Sequence, residues 1–260
     1  MARTLHLEIF RHNPSDPESK PRMQHFEMEE TASMTLFLVL SQIRETMDAT
    51  LQFDFCCRAG ICGSCAMVIN GRPGLACHTR TSDLPDHISL HPLPVFKLLG
   101  DLSVDTGTWF RQVGQKIESW VHTNKPFEPH APEERMTNTL ANEIFELDRC
   151  VECGCCVAAC GTALMRNDFI GATSINRLAR FYIDPRDERT SDSFYELIGD
   201  DSGVFGCMGL LACEDVCPKK IPLQDQLGIM RRMATLESVR GILPSAIRKK
   251  FLGCKESCSC

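Results

Sequence analysis

The stretch 53–77, FDFCCRAGICGSCAMVINGRPGLAC, carries four cysteines in a tight pattern: Cys57-x4-Cys62-x2-Cys65, then Cys77 after an Asn70-Gly71 pair. Asn-Gly between two apolar segments, Ala66 to Asn70 and Gly74 to Cys77, is a strong hairpin signal. Cys57, Cys62 and Cys65 therefore sit on one short loop, and Cys77 arrives from beyond the hairpin. Gly60 and Gly63 fall between these cysteines, where the absence of a Cβ lets backbone N–H groups approach sulfur. Working outward, Leu5 to Phe10 alternates like a strand and Gln24 to Met28 is a candidate partner. Leu36 to Met47 has helical apolar spacing, with Met34 to Leu40 as a buried face, and Ile88 to Leu90 is a candidate closing strand. Strands with one helix across them suit a small mixed sheet.

This cysteine spacing is that of plant-type ferredoxins, so Cys57, Cys62, Cys65 and Cys77 are expected to hold a [2Fe–2S] cluster. Each iron takes two protein thiolates beside two bridging sulfides. A structural zinc site is the alternative, which x4 then x2 on one loop suits poorly.

Two further groups follow. FELDRCVECGCCVAACG (145–161) contains Cys150-x2-Cys153-x2-Cys156-x3-Cys160, and DDSGVFGCMGLLACEDVCPK (200–219) contains Cys207-x5-Cys213-x3-Cys217-Pro218. Together they resemble the bacterial two-cluster ferredoxins, in which the fourth cysteine of each run serves the other cluster. That resemblance implies Cys150, Cys153, Cys156 and Cys217 for a [4Fe–4S] cluster, and Cys160, Cys207 and Cys213 for the other. In the second run the middle position is Leu210, which cannot ligate iron. Three thiolates suit a [3Fe–4S] cluster; a [4Fe–4S] cluster with water on one iron is the alternative.

Composition supports this reading. The chain has 260 residues, 16 of them cysteine, with 43% hydrophobic residues and a formal net charge of −6. The charge offers no general footprint for nucleic acid. The N-terminus, MARTLHLEIFRHN, has no apolar core and no twin arginine, so no export signal is expected. No segment approaches the roughly 18 apolar residues of a membrane span. Bunched cysteines without a signal peptide favour metal ligation over disulfides.

Beyond about residue 105 the strand signal fades. Trp109, Val113, Ile117 and Trp120 share a helical face over Trp109 to Val121. A proline-rich connection, Lys125 to Glu133, comes next. Helices are expected over Glu134 to Leu147, Ile175 to Tyr182 and Leu223 to Val239. The expected fold class is α+β, with a domain at 1–105 around the first cysteine group and an all-α domain at 106–260 around the other two.

Three clusters in this order resemble the iron–sulfur subunit of quinol:fumarate reductase and succinate dehydrogenase, from about Leu5 to Met233. The chain is most similar to the menaquinol-linked fumarate reductases with a dihaem cytochrome b anchor. The resemblance implies a β-grasp plant-type ferredoxin domain followed by a helical bacterial-ferredoxin-like domain. It implies an FAD-containing flavoprotein partner near the [2Fe–2S] end, and a transmembrane cytochrome b with haem b and menaquinone near the [3Fe–4S] end. It places the chain peripherally on the cytoplasmic face of the inner membrane, with no substrate-converting residues of its own. Dimerisation of the complex, cluster potentials and anchor type are left open.

Ubiquinone-reducing relatives have histidine after the first cysteine of the third group and tryptophan shortly after the Cys160 equivalent. Here Met208 follows Cys207, and Gly161 to Met165 contains no tryptophan. That favours menaquinol and fumarate reduction. Rivals are the same subunit in a succinate:quinone reductase, a free-standing multi-cluster carrier, and a zinc-stabilised module.

Other residues have blander readings. The eight histidines show no ligand spacing and no Rieske pairing. His78, next to Cys77, reads as a solvated strand-end residue, with a hydrogen bond near the first cluster as the alternative. Arg58 is a candidate for tuning the first cluster or for pairing with the flavoprotein. Lys219 and Lys220 are candidates for a quinone or lipid contact, or a solvated helix start. Met230 to Met233 reads as amphipathic helix, and Arg248, Lys249 and Lys250 as lipid contacts or an exposed helix end. Cys56 and Cys155 read as packed thiols, with alternative ligation as the other reading. Cys254, Cys258 and Cys260 lie in a tail of metal-binding, disulfide or frayed character.

Overall fold

The structure, a computed structural model, describes residues 3–242 apart from 127, 131 and 133. The tail cysteines and Arg248, Lys249 and Lys250 lie outside the described residues.

The N-terminal part is a five-stranded mixed sheet. Strands β1 (Thr4–Arg11), β2 (Arg22–Glu29), β3 (Ala66–Ile69), β4 (Arg72–Leu75) and β5 (His87–His91) run in the order β2-β1-β5-β3-β4. β1 is antiparallel to β2 and parallel to β5, and β3 and β4 form the Asn70-Gly71 hairpin. Alternation along β1 buries Leu5, Leu7 and Ile9. Helix α1 (Leu36–Thr46) adds Leu36, Phe37, Val39, Leu40 and Ile43 to the same core. Each such side chain contributes about 1.5–3 kcal/mol of burial.

Two short strands, β6 (Lys97–Gly100) and β7 (Ser103–Asp105), form a separate hairpin. Its turn residue Asp101 has φ +45°, and its carboxylate accepts the His12 and Gln52 N–H groups at 2.9 Å each. The same carboxylate pairs with Arg11 at 3.1 Å, and Arg11 pairs with Asp48 at 2.7 Å. This buried network ties the end of β1 and the approach to the first cysteine loop to one hairpin turn.

From Thr106 the described residues form helices and no strand. They are α2 (Thr106–Lys116), α3 (Asn138–Asp148), α4 (Cys155–Ala158), α5 (Gly161–Met165), α6 (Gly171–Tyr182), α7 (Ser191–Ile198), α8 (Ala212–Asp215) and α9 (Leu223–Ile242). Asp105 caps α2 by accepting the Thr108 N–H at 2.9 Å, and Thr137 caps α3. α6 and α9 pack against each other, and Ile175, Leu178, Leu227, Met230 and Met233 on them are buried. α2 ends sooner than its apolar spacing predicts. Glu118 adopts φ +50°, which turns the chain, so Ile117 is buried and Trp120 is exposed. α3 begins four residues later than expected because Thr137 supplies its cap.

Candidate iron–sulfur centres

The first cysteine loop folds back on its own sulfurs. Ala59, Ile61 and Cys62 donate their N–H groups to Cys57 Sγ at 3.4, 3.2 and 3.3 Å, and the Cys57 N–H donates to Cys62 Sγ at 3.4 Å. Gly60, at φ +66°, donates to Cys77 Sγ at 3.2 Å, and the Cys77 N–H donates to Cys65 Sγ at 3.4 Å. Backbone donors aimed at sulfur stabilise negative thiolates and whatever anionic group they hold. Burial works to raise the Cys62 thiol, but hydrogen bonds from Ser64 and Cys57 outweigh it and hold it at about 6. Burial pushes Cys65 up to about 12.

Gly63 has a different task from Gly60. At φ +77°, a Cβ there would lie 2.9 Å from Cys153 Cα, from Cys153 Cβ and from the Val151 carbonyl oxygen. The first loop thus abuts the second group directly. The packing continues at Gly154, where a Cβ would meet the Phe96 ring at 2.8 Å.

Cys150, Cys153, Cys156 and Cys217 line one cavity, together with Thr173, Lys219 and Ile221. Thr173 Oγ1 lies 3.3 Å from Cys150 Sγ, and the Ile221 N–H donates to Cys217 Sγ at 3.5 Å. A hydrogen bond with Cys155 lowers the Cys153 thiol to about 7, against the effect of burial. Burial and the neighbouring thiols push Cys156 well up.

The third group lies next to the second. Cys160 precedes α5, Cys213 sits in α8, and Cys207 lies in the loop before it. Burial, then the nearby Cys160, pushes Cys213 up to about 11. Gln224 Nε2 donates to Cys213 Sγ at 3.2 Å, and the Gly209 N–H donates to Cys207 Sγ at 3.4 Å. Arg231 on α9 donates to the Val204 and Cys207 carbonyls at 2.9 and 2.8 Å, which anchors this loop. Leu210 turns outward at 64% exposure, and Leu164, Met165, Met208 and Leu211 are also exposed. A Cβ on Gly161 would meet Leu210 at 2.8 Å and Met208 at 3.7 Å, so Leu210 and Met208 lie against the start of α5, which itself bears the exposed Leu164 and Met165.

The donor sets fit iron–sulfur clusters. Every described cysteine is a free thiol, and eleven of them fall into groups of four, four and three. Backbone N–H donors surround the sulfurs of the first group as cluster sulfur requires.

Residues 6–111 match the model of a 2Fe-2S iron-sulfur cluster binding domain, and residues 146–221 that of a 4Fe-4S dicluster domain. The chain is 58% identical over 233 residues to the fumarate reductase iron-sulfur subunit of Wolinella succinogenes, covering 89% of this chain and 98% of that one. The chain belongs to the fumarate reductase and succinate dehydrogenase iron–sulfur subunit family. A more distant member of that family, the succinate dehydrogenase iron-sulfur subunit of Bacillus subtilis, is 26% identical over 94% of this chain and 97% of its own. The iron–sulfur subunit fold also matches a chain of the Mycobacterium smegmatis Sdh1 complex in the apo form. That match has a TM-score of 0.83 at 24% identity, covering 94% of this chain and 100% of the other. As a family member the subunit is an electron-transfer component of an oxidoreductase and carries 2Fe-2S and 4Fe-4S centres, with a 3Fe-4S centre besides.

Among the blander readings, the one for Cys56 changes. Cys155 is wholly buried, as a packed thiol should be, but Cys56 is exposed. Lys219 is half-buried at the cavity of the second cysteine group, and its backbone carbonyl accepts a hydrogen bond from Arg149 at 2.9 Å. Arg58 is exposed and lies over the Phe37 and Phe55 rings at 5.7 and 5.9 Å. His78 is exposed, beside Gly60. Spacing gave no warning of Ser64, Thr173, Gln224 or Arg231. Except for Ser64 they come from elements outside the cysteine runs, and only packing brings them to sulfur or to the loop that carries it.

Proposed function

We propose that the subunit serves a membrane-bound quinol:fumarate reductase. It would carry electrons from menaquinol, at the end with three thiols, to the FAD of a flavoprotein subunit that reduces fumarate to succinate. Bound clusters supply one-electron relay sites. Cys57, Cys62, Cys65 and Cys77 are assigned to [2Fe–2S], Cys150, Cys153, Cys156 and Cys217 to [4Fe–4S], and Cys160, Cys207 and Cys213 to [3Fe–4S]. The observation that carries this reading is the order of the three groups. The middle group touches the first through Gly63 against Cys153, and joins the third through α8, which bears Cys213 with Cys217 just beyond it. The chain's own residues hold these centres in sequence and aim N–H groups at the sulfurs. The division into domains at 1–105 and 106–260 belongs to the same proposal.

Among the described residues no helix is long and apolar enough to cross a membrane. Attachment is therefore assigned to the exposed surface of Leu164, Met165, Met208, Leu210 and Leu211, seated on a cytochrome b anchor with haem b and menaquinone, at the cytoplasmic face of the inner membrane. Met208 in place of histidine, and no tryptophan from Gly161 to Met165, favour menaquinol. The test compares rates in both directions on the intact complex with menaquinone analogues. Faster fumarate reduction is expected; a strong bias toward succinate oxidation would assign the subunit to a succinate:quinone reductase.

A further inference from the structure

We propose that His6, His25 and Glu27 bind one divalent transition-metal ion, with zinc as the reference case, on the face of the sheet turned away from α1. The strand register assembles this site. His6 stands opposite Glu27 of β2 on one side and opposite His87 of β5 on the other. Leu5, Leu7 and Ile9 point into the core, so strand alternation sends His6 to the opposite face. Glu27 is its cross-strand neighbour, and His25, two residues along β2, shares that face.

The side chains already converge. His6 Nδ1 lies 3.3 Å from Glu27 Oε1, and His25 Nε2 lies 3.1 Å from the same oxygen. The three ligand atoms are all within 4.8 Å of one another. The His6 ring is held in a stack, with centroids 4.8 Å from His87 and 5.8 Å from His25. Stacking fixes the ring planes and reduces the ordering that metal binding must impose. The Glu27 carboxylate is held below its usual range by the His25 hydrogen bond and the His6 charge, so it is ionised at neutral pH.

Two imidazole nitrogens and one carboxylate oxygen form a zinc donor set that leaves a position for water. Zinc ligand distances of about 2.0–2.2 Å set tetrahedral donors roughly 3.3–3.6 Å apart, which both His–Glu27 pairs already meet, so only His6 and His25, within 4.8 Å of each other, must close. Side-chain rotation supplies this, because His25 and Glu27 are 51% and 60% exposed. The ion would bridge β1 to β2, which is an edge strand of the sheet. It would thereby hold in register a strand with an unpaired edge. Other facing charges enter too: Glu8 lies opposite His25, and His87 flanks His6. Binding requires neutral imidazoles, so protons compete with the ion for the same ring nitrogens.

The test uses the intact complex with its clusters in place, stripped of loose metal and titrated with Zn²⁺ against a chromophoric chelator. Wild type is compared with His25→Gln and Glu27→Gln, and with Glu29→Gln as an exposed acidic control on the same strand. Wild type and the control should each take up one ion that both site variants lose, with cluster spectra unchanged in all four. Equal uptake in all four proteins, or equal loss in the control, would overturn the proposal.

Discussion

At the scale of single residues, the third cysteine group turns on Leu210. Where a full run would place a fourth thiol, an aliphatic side chain points outward. Leu210→Cys is expected to convert a three-thiolate set into a four-thiolate one. The oxidised protein should then lose its [3Fe–4S] resonance and gain a second [4Fe–4S] signal on reduction, as checked by low-temperature electron paramagnetic resonance. Neighbouring cysteines divide on burial: Cys155 is enclosed and Cys56 faces outward, though both adjoin assigned ligands. Their positions in sequence are equivalent, and only the surrounding packing separates them. Arg231 makes the converse point. Replacing it with leucine strips charged donors from the Val204 and Cys207 carbonyls, at about 1–3 kcal/mol for the groups left unsatisfied. The expected result is reduced occupancy of the third centre with the first unaffected, measured by spin quantification of each signal.

At the scale of elements, two glycines with nearly the same backbone angle separate strain from contact. Gly63 has φ +77° and faces Cys153, whereas Gly71 has φ +78° and faces nothing within 4 Å. Gly63→Ala should push the first loop away from the second, and the [2Fe–2S] signal should relax more slowly because relaxation imposed by a neighbouring paramagnetic centre falls with distance. Gly71→Ala imposes similar local strain and should leave that relaxation unchanged. The end of α2 depends on a second contact. Arg189 is paired with Asp187 at 2.7 Å and donates to the Glu118 and Trp120 carbonyls, clamping the turn that stops the helix. Asp187→Ala leaves Arg189 buried without its carboxylate, and a loss of about 3–5 kcal/mol is expected in thermal or denaturant unfolding. Apolar spacing alone carries α2 on to Trp120 and Val121, because periodicity has no record of a left-handed residue at Glu118. It also passes over β6 and β7. Those strands are too short to alternate and are held by Asp101, whose partners are distant in sequence.

At the scale of the whole molecule, the proposed attachment would take the exposed apolar surface over α5 out of water. Introducing Leu164→Glu places a charge there, and an unpaired charge in a closed interface costs about 3 kcal/mol, or roughly a hundredfold in affinity. Flavin-linked fumarate reduction by an artificial donor should then move from the membrane fraction to the supernatant, while quinol-linked activity is lost.

The sequence by itself determined the cofactor class and the family. Cysteine ligation is encoded in short runs such as Cys57-x4-Cys62-x2-Cys65, where the spacing is itself the geometry. β1, β2, α1 and the Asn70-Gly71 hairpin were legible for a similar reason: alternation, helical spacing and turn chemistry are local. Tertiary structure alone decided the approach of Gly63 to Cys153, the second supports at Thr173, Gln224 and Arg231, and the meeting of His6, His25 and Glu27. These juxtapositions depend on strand order and helix packing between segments far apart in the chain, and no local pattern carries that information.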